Sequence, residues 1–254
     1  MTKTKILYLS SSPSNLDKLK VDEEFRAIYE NINGNFFEIQ SVSKTKISDI
    51  QAVIYESQPD IIHFSGHGSS EDIFLETDQS RSAGVLKSSF IRTFQNLKKK
   101  PEIIFLNACR TYDNLDDLSY IIDFVIATDC KVSDSTAIKF AGNFYKFLSL
   151  GASIKSSFNL AGNQFDIESL INGAKMYRLL VREGVNNDRI FTGNSRHGNF
   201  ETQPESSRQK MQEKSKPESE SKRGNFVTNN GSSIGNQEIY QTGDGTTINQ
   251  NKNK

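Results

Sequence analysis

Short runs of apolar residues alternate with longer amphipathic stretches over the first three-fifths of the chain. The runs are rich in β-branched and aromatic residues and too short for helices, so each predicts a β-strand. They lie at residues 5–10, 36–42, 103–108 and 124–128, and within the stretch 59–68.

The stretches between these runs carry apolar residues at helical spacing. They predict helices near residues 16–32, 48–57, 88–97, 136–150, 154–161 and 167–182. Strands that alternate with helices predict an α/β fold, with a mostly parallel sheet covered by helices on both faces. Between two of these elements, residues 69–89 form two apolar pieces around a polar turn, which predicts a small hairpin over the edge of the sheet.

Two predicted strands end beside a reactive side chain. PDIIHFSGHG (59–68) carries His67, and PEIIFLNACR (101–110) carries Cys109. Functional groups of α/β sheets lie just past the carboxyl ends of the strands, so we expect both side chains at one edge. If the two strands are neighbours, about 5 Å apart, the imidazole and the thiol can meet.

A thiol beside an imidazole is the minimal nucleophile and base pair of a cysteine hydrolase. A free thiol has a pKa of about 8.5 and is only slightly ionised at neutral pH, so Cys109 needs His67 to deprotonate it or to hold it as an ion pair. Gly68 lets a backbone N–H approach a substrate carbonyl closely. Together with the N–H of Cys109, it is a candidate oxyanion hole.

Structural roles are the alternatives for these residues. A single cysteine at a strand end is often a buried structural thiol. His63 shares strand parity with His67, so a metal site formed by His63, His67 and Cys109 is a further alternative. Since no further ligand lies at a useful spacing, a hydrogen-bonded His63 in the core is the favoured interpretation, and no metal is predicted.

The end of the fifth predicted strand adds weaker candidates. Cys130 is interpreted as a structural thiol. Asp129 and Asp134 are candidates for lining a substrate pocket, although Asp134 is equally suited to capping the following helix.

Composition narrows the classes of function. The chain has 254 residues, with 31 basic and 31 acidic side chains, so its zero formal charge gives no argument for nucleic acid or anionic membrane partners. No run approaches the roughly 20 apolar residues that cross a bilayer, and the amino-terminal apolar run is too short for a signal peptide. Two cysteines without an export signal indicate thiols in a reducing cytoplasm.

The composition changes twice towards the carboxyl end. Residues 1–193 are predicted to form the folded domain. Residues 194–223 are charged and nearly devoid of aliphatic side chains, which predicts a disordered linker. Residues 224–254 are rich in Asn, Gln, Gly and Thr with isolated β-forming residues, a composition that stays soluble in one chain yet can stack between chains.

The motif HFSGHG, followed by NAC 42 residues later (67 to 109), resembles the CHAT family of bacterial caspase-like proteins. SSSPSNLDKLKVDEEFRAI and VSDSTAIKFAGNFYKFLSLGASI extend the resemblance over about residues 5–158. It implies a caspase-like fold, His67 and Cys109 as the catalytic pair, and Gly68 as an oxyanion donor. Caspases place their His about 50 residues before the Cys. Metacaspases carry Asp two residues before the Cys, and the neutral Asn107 here leaves the preferred substrate residue open.

The segment IGNQEIYQTGDGTTINQ (234–250) resembles the amyloid-signalling motifs of bacteria and fungi. Ile239 lies in this predicted oligomerisation motif, and Gln241 and Gly243 match its Gln-x-Gly core. The resemblance implies a receptor, often an NTPase with a repeat-built sensor, that templates the same stack in its effector. Plain low-complexity disorder is the alternative interpretation.

Two functions from different classes follow. The first is a cysteine endopeptidase without a cofactor, acting on protein substrates and activated as a homo-oligomer through its tail, in bacterial defence or regulated cell death. The second is a catalytically silent adaptor of the same fold. A thiol and an imidazole that meet at an open cleft favour the enzyme.

Overall fold

The computed structural model describes residues 2–168 and 174–191. The linker and tail predictions, including Ile239, Gln241 and Gly243, lie outside the described residues. Within them, no helix is long and apolar enough to cross a membrane.

A six-stranded sheet organises the described residues, in the order β2-β1-β3-β6-β7-β8. Neighbouring strands are parallel except β8, which runs antiparallel to β7. The strands are β1 (Thr4–Ser10), β2 (Phe37–Val42), β3 (Ile61–Ser65), β6 (Ile103–Asn107), β7 (Phe124–Thr128) and β8 (Tyr177–Val181). A separate antiparallel hairpin consists of β4 (Asp72–Glu76) and β5 (Ser82–Leu86).

Helices cover both faces of the sheet because alternate strand residues are apolar on each side. One core joins Tyr8, Phe105 and Phe140 with α1 (Val21–Asn31), α5 (Asp134–Ser149) and α6 (Ile154–Ile167). The other core packs the opposite strand residues against the remaining helices: α2 (Ile50–Ser57), α3 (Lys87–Gln95) and α4 (Asp116–Ser119). The predicted α/β class with a mostly parallel sheet is confirmed.

Two predicted elements differ from the structure. The helix expected over 167–182 is wrong, because residues 177–181 form the edge strand β8 after a short 3₁₀ turn at Ala174–Met176. The helix expected from residue 16 begins only at Val21. The preceding residues form the loop that carries Asp17, one of the groups at the candidate site.

Candidate active site

Neighbouring parallel strands carry His67 and Cys109 to the same edge of the sheet. Ser65, the last residue of β3, lies opposite Asn107, the last residue of β6. Two residues further along each chain, His67 and Cys109 are both half-buried. They line one pocket, together with residues from the loops after β1 and β7.

Gly68 brings the two loops into close contact. A Cβ atom added at Gly68 would lie 2.8 Å from the Cys109 carbonyl oxygen and 2.9 Å from Thr111 Cγ2, so only glycine suits this position. Gly68 faces Ile73 of the hairpin, and the two hydrogen bonds of this bridge run from Phe74 N–H to the His67 carbonyl and from Ser69 N–H to Asp72. These two bonds lie on either side of Gly68, so the Gly68 N–H takes no part in the pairing with the hairpin.

Asp17 orients the imidazole through its backbone. Nε2 of His67 lies 2.8 Å from the Asp17 carbonyl oxygen. A carbonyl only accepts, so this contact assigns the proton to Nε2 and leaves Nδ1 of the neutral ring as the basic atom. No sequence pattern indicates Asp17, because a backbone carbonyl belongs to every residue type.

Cys109 lies at a sharp turn. Arg110, directly after it, has a left-handed backbone with φ of 55°, and its N–H donates to the Cys130 carbonyl at 3.2 Å. The Cys109 thiol points to the Val132 carbonyl, 3.9 Å from Sγ. The turn ends the strand and presents the sulfur to the pocket.

The pocket beside the thiol is small, with a volume of about 40 Å³. Its walls are mainly aliphatic and include Leu19, Val21, Val132 and Ile138. Its polar lining includes Glu24, Ser65 and Asn107.

Glu24 is a buried carboxylate, only 3% exposed. Its Oε1 accepts from Asn107 Nδ2 at 2.7 Å and lies 2.6 Å from Nε2 of His63, and its Oε2 accepts from the Ser65 hydroxyl at 2.8 Å. The sequence held a signal for it: Glu24 is three residues after Val21 and four before Ile28, on the inward face of α1. Glu24 was nevertheless not among the predicted site residues.

His63 is fully buried and uses both ring nitrogens. Besides Glu24 at Nε2, its Nδ1 lies 3.3 Å from the Tyr145 hydroxyl. Neither nitrogen is left for a metal ion, which argues against the alternative of a site with His67 and Cys109. Among the described residues, no group of three or more His, Cys, Asp or Glu side chains could hold a metal.

The two weaker pocket candidates lie in different surroundings. Asp129 forms an ion pair with Arg178 of β8 at 2.7 Å and does not line the pocket. Asp134 lines the pocket, and its Oδ2 accepts from Lys20 N–H at 3.0 Å. Ser133, not Asp134, caps α5 by accepting from Thr136 N–H.

Cys130 follows β7 and is half-buried. Burial, and next the neighbouring charge of Asp129, raise the pKa of its thiol. Cys130 is therefore a poor nucleophile at neutral pH compared with a thiol that has an imidazole partner.

A buried lysine ties the two site loops together. Lys87 is 2% exposed, and its ammonium donates to the carbonyl oxygens of Ser70, Arg110 and Asp113 at 2.7, 3.1 and 2.7 Å. Ser70 belongs to the loop after His67, and the other two belong to the loop after Cys109. All three ammonium protons hold these loops to each other.

The fold and the arrangement at the sheet edge define a caspase-like α/β domain. Residues 10–164 match the family model of the CHAT domain, and this chain belongs to that family. The match confirms the family resemblance of the folded part.

Two known proteins are similar to this chain, one in sequence and one in fold. A "Roc-COR-CHAT protease" from an unknown prokaryotic organism is 24% identical over 156 residues, which are 57% of this chain. The chain spans only 15% of the length of that protein. The crystal structure of caspase-1 from Spodoptera frugiperda aligns with a TM-score of 0.52 and 10% identity, over 77% of this chain and 91% of that one. At this identity, the likeness concerns the fold alone.

Proposed function

We propose that this protein is a cysteine endopeptidase that uses Cys109 as its nucleophile and His67 as its base. The observation that carries the proposal is the shared pocket: both side chains line it from adjacent strand ends, and Gly68 packs against the Cys109 carbonyl. Membership of the CHAT family and the name of its protease relative add support.

In the proposed reaction, Nδ1 of His67 takes the thiol proton, and Cys109 Sγ forms a bond to the carbonyl carbon of the scissile peptide. The N–H groups of Gly68 and Cys109 stabilise the oxyanion. His67 then gives the proton to the leaving amine as the C–N bond breaks. Water hydrolyses the resulting thioester, releasing the carboxylate product and restoring the thiol. No cofactor takes part.

The test is a peptide-library digest with the full chain and two variants. We expect Cys109→Ala and His67→Ala each to lower kcat/KM at least about 10³-fold, because the nucleophile and its base act as a unit. Cys130→Ser is the matched control and should cleave at the wild-type rate. Full proteolysis by either dyad variant would refute the assignment. A wild-type chain that cleaves nothing when clustered would favour the adaptor.

We also propose that residues 224–254 activate the peptidase by clustering it. The support is the sequence: amide-rich composition with the Gln241 and Gly243 spacing, joined to the domain by a charged linker. The proposed partner is a receptor or sensor that carries a similar segment, and the proposed setting is cytoplasmic bacterial defence or regulated cell death.

A further inference from the structure

Both strands that carry the dyad are held by one carboxylate. Ser65, the last residue of β3, is two residues before His67, and Asn107, the last residue of β6, is two residues before Cys109. Ser65 and Asn107 line the same pocket as His67 and Cys109. Glu24, from α1, bonds to both Ser65 and Asn107.

The network extends from Glu24 to the rest of the domain. Asn107 Oδ1 accepts from the Tyr177 hydroxyl of β8 at 2.7 Å, and Asn107 Nδ2 is 3.3 Å from the Ala137 carbonyl of α5. His63 lies two residues before Ser65 on β3 and stacks on Tyr8, with ring centroids 5.2 Å apart. One buried anion thus joins α1 with β3 and β6, and through Asn107 with α5 and β8.

The charge of Glu24 acts on neighbouring groups inside the protein. Three donors, from His63, Ser65 and Asn107, converge on its two oxygens, which satisfies a carboxylate that is only 3% exposed. Burial, and next the negative charge of Glu24, raise the pKa values of Tyr145 and Tyr177, so both keep their hydroxyl protons as hydrogen-bond donors.

We propose that Glu24 is a positioning residue of the dyad: by accepting from Ser65 and Asn107 together, it fixes the spacing and orientation of His67 and Cys109. This inference rests on the proposed function for its catalytic consequence. Its structural content is independent, because Glu24 sets how the imidazole meets the thiol whether or not a peptide is cleaved. Small displacements of reacting groups cost rate: about 1 Å lowers it on the order of 100-fold.

The central variant is Glu24→Gln, which keeps the size of the side chain. Gln offers one acceptor oxygen where Glu offers two, so three donors cannot all be satisfied. Relief requires Ser65 to turn its hydroxyl and accept from the new amide, which ends its donation to position 24, or Asn107 to turn its amide over, which takes its oxygen from Tyr177 and its N–H from Ala137. Glu23→Gln is the matched control. Glu23 is the exposed neighbour of Glu24 on the same helix, and its carboxylate forms an ion pair with Lys20.

A double exchange tests the coupling directly. In Glu24→Gln combined with Asn107→Asp, the new amide at position 24 donates to the new carboxylate at position 107 and to His63, while its oxygen accepts from Ser65. The carboxylate at position 107 still accepts from Tyr177. One anion and the links among positions 24, 63, 65 and 107 remain, with the donors and acceptors reversed, while the contact of position 107 with the Ala137 carbonyl is lost. Asn107→Asp alone brings two carboxylates together at the 2.7 Å contact and should be the worst variant.

The readout is the pH profile of Cys109 alkylation by iodoacetamide, measured in full-length chains that carry Cys130→Ser. We expect Glu24→Gln to lower the rate at pH 6.5 about tenfold, where ionisation depends on His67, and to change the rate at pH 9.5 less than about twofold. Glu23→Gln should match wild type, and the double exchange should recover the rate at pH 6.5 to within about threefold. Where peptidase activity is present, kcat should follow the same pattern with KM nearly unchanged.

The outcomes separate the two proposals. A wild-type chain without peptidase activity contradicts the proposed function, while the alkylation profiles still decide the role of Glu24. A folded Glu24→Gln chain with the wild-type profile overturns the inference. So does a folded double exchange that is as impaired as Asn107→Asp alone, because both chains lack the Ala137 contact and differ only at position 24. If Glu24→Gln does not fold, the comparison of the double exchange with Asn107→Asp decides: a faster rate at pH 6.5 in the double exchange supports the role, and an equal rate refutes it.

Discussion

The two cysteines occupy corresponding positions after neighbouring strands but differ in their surroundings. Cys109 shares its pocket with His67, whereas burial and Asp129 raise the pKa of Cys130. A raised pKa means less thiolate at a given pH, so we expect iodoacetamide to label Cys109 at least about tenfold faster at pH 7.5. Labelled peptides quantified by mass spectrometry measure this ratio. The ratio should shrink as the pH rises and Cys130 ionises, and His67→Ala should remove most of it. Equal rates in wild type would mark Cys109 as an inert thiol.

Whether a site residue can be predicted from the sequence depends on which of its groups acts at the site. His67 and Cys109 can be found because a reactive side chain directly follows an apolar run. Asp17 contributes only its carbonyl oxygen, which no pattern reports. Glu24 was within reach, since an acid on the inward face of an amphipathic helix needs buried donors. Its partners, however, come from strands that only the tertiary fold brings together.

At the scale of elements, Lys87 joins the loops that follow β3 and β6. Lys87→Met keeps the aliphatic stem but leaves three carbonyl oxygens without their donor, so we expect a loss of about 3 kcal/mol in unfolding free energy. Urea unfolding measures it. Lys98→Met is the control, because Lys98 follows α3 and is exposed to solvent. This change should alter stability by less than about 0.5 kcal/mol. An equally small effect at Lys87 would show that the ammonium does not hold the loops.

The contribution of Lys87 to stability should depend on pH. Burial lowers the pKa of Lys87, and the charges of Asp113, Glu71 and Asp72 oppose this. The native state then releases this proton more readily than the unfolded chain, whose lysines titrate at about 10.5, so this group's contribution to stability rises with pH between the two values. Met does not titrate. The cost of Lys87→Met should therefore be larger at pH 10 than at pH 7.5, and a cost that falls with pH would contradict the direction of the shift.

The edge strand β8 was not predictable from the pattern of apolar residues. The central strands are buried on both faces and appear in the sequence as continuous apolar runs. In β8 only Tyr177 is fully buried, so the strand lacks such a run, and its apolar residues fit a helical pattern instead. The start of α1 is predicted too early for a related reason: the apolar Leu16 and Leu19 belong to a loop beside the pocket.

Tyr177 makes β8 part of the site. Its ring stacks on Phe140, with centroids 3.8 Å apart, and its hydroxyl donates to Asn107 Oδ1. Tyr177→Phe keeps the stack and leaves one buried acceptor unpaired, so we expect a loss of about 1.5 kcal/mol in thermal or urea unfolding and a severalfold lower kcat. Tyr120→Phe, 75% exposed on the surface, is the matched control. An unchanged kcat in Tyr177→Phe would separate β8 from the catalytic geometry.

At the scale of the whole molecule, the proposal assigns catalysis to the domain that carries His67 and Cys109, and self-association to residues 224–254. The composition of residues 194–223 predicts a flexible coil with a reach of roughly 30 Å, in a segment that lies outside the described residues. Strands in a cross-β stack repeat every 4.8 Å or so, far less than the width of a domain, so stacked tails would crowd the attached domains. The resulting local concentration is the proposed trigger.

Gln241→Pro and Gly243→Pro test this trigger in the full chain. Proline removes a ladder N–H and fixes φ, so either change should prevent thioflavin-positive assembly. We expect both variants to cleave peptides slowly at every protein concentration, whereas wild-type activity rises steeply once assemblies form. Fusing a proline variant to an unrelated inducible oligomer should restore cleavage, because proximity and not the stack itself is the proposed signal. If the chain shortened to residues 1–193 cleaves as fast as the full chain under all clustering conditions, residues 224–254 are not the switch.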